Sequence, residues 1–454
     1  MRDEVRAGRR LAPALALALL VLLPWPAAGQ PCRDCLEAGA ARVPLRVPAG
    51  APLAGYGSIA RRLLIPDVFG RYPHAFWFKP SEGERDLLAA RALVLESGGV
   101  RVALATVDLL AIDRAFTVDV EHRLTAAGVR PLTLIVAASH THSGPGAYVD
   151  SALLGWLVVD RLDREVRDAL LDGVVSAVRR ADAARAPARV AAAVVTAPPL
   201  TVSRLRQPLD ADLLALRVTR PAGAPVALVW NYAIHGTMLS ASNLRLSADV
   251  MGDTTAVLER DLGVPALFVN GAEGDVSPAH HGDRASRDIG VELAAVVRRG
   301  WEAAAPVGPP VLRTAGREVT LPKPRLSVKN CVGGWAPAAV RLPLGSVFPR
   351  RTALTAVAVG DTALVTMPGE LQTKLGLAIK QAGHASFART LVAGLSNDYL
   401  GYFVTAADYP HPGYVTCSTL YGPRTGECLT AAAIGLLTGL ARGEHTGRAT
   451  CERG

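Results

Sequence analysis

Apolar and polar positions follow two rhythms along this chain. Val100 to Val107 and Leu132 to Ala138 are short, nearly continuous apolar runs, as buried strands carry. So are Val226 to Trp230 and Ala266 to Val269. Between and after them the spacing turns helical. Phe116 to Ala127 reads as a helix that Gly128 ends. Leu162, Val166, Leu170, Val174 and Val178 recur at steps of four, which puts them in one stripe of a core-facing helix. Val250, Val257, Leu258 and Leu262 form the apolar side of another helix, stopped by Gly263, and 284–301 reads as a further one. Strand-like segments at 311–320, 352–359 and 362–367 follow without helices between them. Residues 321–350, rich in Pro and Gly, read as a long loop over the site. A run from Leu429 to Leu440 is helix-like and precedes a polar tail. Apolar strands with helices between them mean sheets covered by helices. The predicted fold is α/β, with mixed β-sheets, two of them stacked, flanked by helices.

Polar residues gather where the apolar strands end, the usual place for a site in α/β sheets. Leu132 to Ala138 runs into S-H-T-H-S-G-P-G at 139–146, and Val226 to Trp230 into N-Y-A-I-H at 231–235. Ala266 to Val269 runs into N-G-A-E-G-D-V-S-P at 270–278, and Leu364 to Met367 into P-G-E at 368–370. Leu391 to Ala393 leads towards Ser396, Asn397, Asp398, Tyr399 and Tyr402. His140, His235 and Glu370 offer two imidazoles and a carboxylate, a mix that suits zinc with one position open for water. If the H-T-H segment is extended, His140 and His142 share a face, one as ligand and one as acid/base. Ser277, in a glycine-rich turn, is a candidate nucleophile or a substrate-binding hydroxyl. There is no H-E-x-x-H, G-x-S-x-G, P-loop or dinucleotide fingerprint, which disfavours zincins, ordinary α/β-hydrolases and nucleotide enzymes.

The start of the chain changes the setting. Arginines at 2, 6, 9 and 10, an apolar run from Leu11 to Leu23 and small residues to Gly29 have the order of a secretory leader. That run is about 13 residues, short of the ~20 that a membrane span needs. Residues 1–29 are therefore expected to be removed near Ala28 or Gly29. Residues 30–454 then form one catalytic domain, secreted or periplasmic. Six cysteines, Cys32, Cys35, Cys331, Cys417, Cys428 and Cys451, permit disulfides there. Cys32 and Cys35 form a C-x-x-C pair, and Cys417 and Cys428 are close enough in sequence to clip the loop around Tyr421, but the sequence does not fix the connectivity. The formal charge of +9 comes from scattered arginines. Without a basic run interleaved with aromatics it does not point to nucleic acid. It would favour peripheral contact with an anionic surface.

Taken in order, H-T-H-S-G-P-G, N-Y-A-I-H, G-D-V-S-P, P-G-E, L-S-N at 395–397 and Y-V-T-C-S-T-L-Y-G-P at 414–423 resemble the neutral/alkaline ceramidase family. The resemblance spans about Pro52 to Thr430 and concerns the catalytic domain only. The immunoglobulin-like sandwich that follows it in the family is not expected here. The resemblance implies hydrolysis of the amide of ceramide to a fatty acid and a sphingoid base, with one zinc ion. It implies His140, His235, Glu370 and Tyr402 as metal ligands. Tyr414 would hold the substrate carbonyl, His142 would act as acid/base or oxyanion stabiliser, and Ser277 would be the active-site serine. An arginine of S-R-L-R at 203–206 would face the site, with Arg206 favoured over Arg204. Ala279 stands where the family usually has Asn after G-D-V-S-P. Tyr72, Phe76, Trp77, Phe78 and the 321–350 loop are candidate walls for an acyl chain. The alternatives are a zinc amidase or esterase acting on another N-acyl or lipid-like substrate, and a non-catalytic secreted binding protein.

Overall fold

Three five-stranded sheets, packed face to face around one core, carry the chain. The computed structural model describes residues 36–129, 133–333, 335–345 and 347–451. The expected leader and the Cys32–Cys35 pair lie outside the described residues. From edge to edge the first sheet is Thr133–Ala138, Val100–Val107, Ala89–Ser97, Glu37–Pro44 and Ala186–Pro187. The second is Ala266–Asn270, Pro225–Tyr232, Asp212–Thr219, Arg189–Thr196 and Ala305–Pro306. The third is Arg389–Ala393, Thr362–Thr366, Arg351–Val359, Leu312–Thr320 and Thr446–Thr450. Each sheet mixes parallel and antiparallel pairs except where short edges join it.

Strand alternation explains why both faces are dry. Leu93 and Leu95 of the first sheet, Leu214, Leu216 and Val218 of the second, and Val357 and Val359 of the third all enter the shared central core. Their neighbours turn outward to helices. Ala90, Ala92 and Val94 pack with helices Arg114–Ala126 and Arg164–Ala183. Leu213 and Ala215 pack with Asp249–Leu262 and Asp283–Ala303. Leu354, Ala356 and Ala358 pack with Thr373–Gly383 and Thr425–Ala441. A strand buried on both faces must be apolar almost throughout, and these are.

Helix signals in the sequence match the observed ends. Asp113 caps Arg114–Ala126 by accepting from the Phe116 N–H, and Asp163 caps Arg164–Ala183 through Val166. Gly263, with φ of 68°, ends Asp249–Leu262 in the left-handed conformation.

The sheet number differs from the expected pair. A two-sheet stack has two inner faces, whereas this core serves three. Strands Arg189–Thr196 and Asp212–Thr219, absent from the predicted set, make the second sheet separate from the first. Two smaller corrections follow. The 321–350 segment is not a bare loop: Arg325–Ser327 pairs with Arg341–Pro343, and Val328–Val332 is helical. The tail adds Thr446–Thr450 to the third sheet. The connectivity that the sequence left open does not use the Cys417–Cys428 clip. Cys331 bonds Cys417 and Cys428 bonds Cys451. The second of these ties the start of the last helix to the residue after the tail strand. No helix among the described residues is long and apolar enough to cross a membrane.

Candidate metal centre

Three edge strands, one from each sheet, end side by side. Thr133–Ala138 meets the loop after Arg389–Ala393 where Ala138 N–H donates to Leu395 O at 3.1 Å. That loop meets Ala266–Asn270 where Gly394 N–H donates to Asn270 O at 3.0 Å. Buried asparagines finish the seam. Asn397 accepts from Val136 N–H and donates to Leu134 O, and Asn231 donates to both Val269 O and Val392 O. Asn270 holds both backbone groups of Ile234, so the chain is fixed just before His235.

His140 lies at the first of these ends, two residues past the strand. Its backbone has φ of 70°, unusual for a residue other than Gly and a mark of functional sites. The expectation that strand alternation sets His140 and His142 on one face therefore does not hold. Their rings still meet edge to face, with centroids 5.0 Å apart. His140 Nδ1 contacts Leu110 O at 2.8 Å. A carbonyl only accepts, so Nδ1 carries the proton and Nε2 presents a lone pair. His235 is fully buried beside it, ring centroids 4.5 Å apart. Gly236 lets the two segments close. A Cβ there would lie 2.5 Å from His140 O and 2.7 Å from Thr141 Cα, both backbone.

Glu370 completes the cluster from the third sheet. It opens a short strand that pairs in parallel with Tyr402–Phe403. Oε1 accepts from Tyr399 OH at 2.7 Å. Oε2 lies 3.4 Å from His140 Nε2 and 3.1 Å from His235 Nε2. Tyr402 OH is 3.3 Å from His235 Nε2. His140 Nε2 and Glu370 Oε2 are buried without a hydrogen-bond partner. Orphaned buried polar atoms that converge are costly unless a cation sits between them. Two imidazoles, a carboxylate and a phenol oxygen suit a divalent metal ion.

Groups around this cluster differ in charge. His142 is held well below the usual histidine range by burial and by the neighbouring His140, so it is a neutral imidazole. Tyr56 lies against its ring at 4.9 Å, and Gly55 (φ of 103°) leaves the room: a Cβ there would be 2.8 Å from the ring. His235 is pushed down to about 3 by burial and by Arg204. Arg204 donates from Nε to Ser277 Oγ at 2.7 Å and from Nη1 to Tyr402 OH at 3.3 Å. Arg206, favoured from the sequence, is exposed instead. Arg204 directly follows the strand Thr201–Ser203, which pairs with Val276–Pro278 and so carries Arg204 to Ser277. Arg206 lies beyond a turn, at φ of 58°, with no such tether. Tyr414 meets Tyr402 edge to face, with centroids 5.6 Å apart.

A cavity of about 830 Å³ opens over this floor, reaching His142, Arg204, Tyr402 and Tyr414. Its walls are Leu63, Leu64, Pro66, Trp77, Trp156 and Leu157. Of the expected wall residues only Trp77 is there. Phe78 is core, and no described residue of 321–350 lines the cavity. Glu273 and Tyr399 are further members of the site. Both stand in the strand-end runs, and no spacing rule separates them from the loop residues beside them.

A family model for the neutral/alkaline non-lysosomal ceramidase N-terminal region matches residues 78–292. Over that span the chain is similar to the neutral/alkaline ceramidase family. The matched span holds His140, His142, Arg204, His235 and Ser277. Among ceramidases, the neutral ceramidase of Pseudomonas aeruginosa is 27% identical over 211 residues, 42% of this chain and 31% of that protein. Neutral ceramidase B of Dictyostelium discoideum is 31% identical over 101 residues, 20% of this chain and 14% of that protein. The Mycobacterium tuberculosis neutral ceramidase is 27% identical over 169 residues, 32% of this chain and 26% of that protein. These sequence matches thus span less than a third of the length of these ceramidases. The crystal structure of the Pseudomonas aeruginosa neutral ceramidase superimposes with a TM-score of 0.78 at 20% identity. The match covers 92% of this chain and 76% of that one. A structure titled "Ceramidase complexed with C2" gives 0.79 at 20% identity, over 90% and 76%. At that identity the likeness speaks for the fold.

Proposed function

We propose that this site hydrolyses the N-acyl amide of ceramide to a fatty acid and a sphingoid base, with zinc held by His140, His235, Glu370 and Tyr402. The observation that carries the reading is the convergence of unpartnered His140 Nε2 and Glu370 Oε2 below an apolar-walled cavity, in a chain similar to this family. A zinc ion bound there supplies a Lewis acid and an acidified water. The protein's own groups do the rest. Tyr414 and the Arg204 guanidinium line the cavity floor and donate to the oxygen on which charge develops. His142, neutral and buried next to them, accepts a proton from water and returns it to the leaving amine. Ser277 accepts from Arg204, a group that gives a proton and takes none. A serine nucleophile needs a base, so this favours a positioning role for Ser277 over a covalent one.

The walls fit the acyl and sphingoid chains. Leu64, which lines the mouth beside Arg62, is 99% exposed; Ile59 and Phe69 of the same chain segment are 81% and 83% exposed. Such exposed apolar side chains suit a lipid surface. The two disulfides fit an oxidising compartment, and we place the protein outside the cytosol, secreted or periplasmic.

The test is fatty-acid release from a panel of N-acyl substrates by wild type and His140→Ala. Ceramide cleavage that is abolished by a chelator, restored by zinc and lost in the variant supports the reading. Ready cleavage of short N-acyl amino compounds with none of ceramide overturns the substrate. No zinc in active wild-type protein overturns the metal.

A further inference from the structure

Glu273 is not among the groups assigned above, yet it is the most anomalous side chain near them. It is fully buried, and neither carboxylate oxygen has a hydrogen-bond partner. Its carboxylate, a carboxylate oxygen of Glu370 and a ring nitrogen of His140 lie within 4.8 Å of one another. Two carboxylates side by side in a dry interior repel, and an unpartnered buried carboxylate is costly in its own right.

The backbone holds Glu273 in this position. A Cβ on Gly394 would come 2.7 Å from Glu273 Oε2 and 2.4 Å from Gly271 O, so the chain closes over the carboxylate only because residue 394 is glycine. Gly274, the next residue, is pressed on the Glu370 backbone, where a Cβ would meet Glu370 O at 2.6 Å. The Glu273 and Glu370 turns are therefore packed against each other as a unit. No described side chain donates a hydrogen bond to Glu273. What it shares with Glu370 and His140 is the point they surround.

We propose that Glu273 is a second carboxylate ligand of the ion held by His140, His235, Glu370 and Tyr402. The proposal rests on the reading of this cluster as a metal centre. Two ionised carboxylates balance the charge of one divalent ion, which a single carboxylate leaves half compensated in a dry site. A donor set richer in oxygen also accommodates harder ions, such as Mn²⁺, better than two imidazoles, one carboxylate and one phenol do.

The experiment measures zinc per chain and zinc affinity by chelator competition, in wild type, Glu273→Gln, Glu273→Asp and His140→Ala. Circular dichroism checks the fold of each. Melting temperatures are taken for zinc-free and zinc-loaded wild type and Glu273→Leu. The expected result is one zinc per wild-type chain, bound at least tenfold more weakly by Glu273→Gln and by Glu273→Asp. Zinc-free Glu273→Leu melts above zinc-free wild type, because the uncompensated carboxylate is gone, and the zinc-loaded order is reversed. That reversal is not produced by a merely structural glutamate. Wild-type affinity in folded Glu273→Gln and Glu273→Asp overturns the inference and leaves the metal reading standing. Two zinc ions in wild type and one in Glu273→Gln also overturn it, because Glu273 then serves a separate ion. A wild-type chain that binds no zinc defeats the metal reading together with the inference.

Discussion

Arg204 and Arg206 are two residues apart and differ in everything that matters for chemistry. Arg204 bonds Ser277 and Tyr402 at the cavity floor, whereas Arg206 is exposed beyond a turn. Arg204→Met should lower kcat by about a hundredfold or more, as loss of an oxyanion donor does, and Arg206→Met should leave it unchanged. Steady-state kinetics on one ceramide substrate separates the two. Asp249 makes a different prediction. Burial lifts its carboxyl from 3.8 to about 6, against three backbone N–H donors from Leu239, Val250 and Met238. The folded chain therefore keeps a proton that the unfolded chain has lost between pH 4 and 6. Stability falls as pH rises through that window, by about 3 kcal/mol from this group. In Asp249→Asn the melting temperature should lose most of that slope, and a slope equal to wild type would refute the assignment. At this scale the sequence was a good guide to which residues meet. His140, His142, His235, Ser277, Glu370, Tyr402 and Tyr414 stand in one cluster or over it. Arg206 was misjudged and Glu273 was not singled out for one reason: direction in a turn depends on backbone angles that residue types do not declare.

At the scale of elements, the segment 325–343 buttresses Tyr414 without touching the cavity. Asn330 donates to Tyr409 O and Thr416 O, and Cys331 bonds Cys417 at the end of the short helix Tyr414–Cys417. Replacing both cysteines by Ala should cost about 2–4 kcal/mol of stability. It should also raise KM more than it lowers kcat, since Tyr414 loses its anchor while the cluster beneath stays whole. An equal fall in kcat would mean that the disulfide supports the chemistry itself. Strands and helices with strong apolar runs were legible within one to three residues at their ends, as Val100–Val107 and Asp249–Leu262 illustrate. Glu37–Pro44, Arg189–Thr196 and Asp212–Thr219 were not. Arginines and acids at their ends and alanines within them dilute the apolar signal, and only pairing with neighbours makes them strands. Sheet number was lost with them.

For the whole molecule, Leu64 at the cavity mouth and exposed Phe69 of the same segment are the candidate docking residues. Leu64→Asp together with Phe69→Asp should abolish sedimentation with vesicles containing anionic lipid and lower cleavage of vesicle-borne ceramide at least tenfold. Cleavage of a soluble short-chain analogue should persist. Loss of both activities would place these residues in folding or catalysis rather than docking. The seam of three edge strands has a consequence of another kind. The residues that meet there come from positions as far apart as 134 and 397, so their partners are hundreds of residues away along the chain. Contacts of such long sequence separation form slowly, after local structure is in place. The metal pocket is then the last part of the protein to exist. A nascent or partly folded chain can have every helix and still bind no ion, and ion capture becomes a report that all three sheets have found one another.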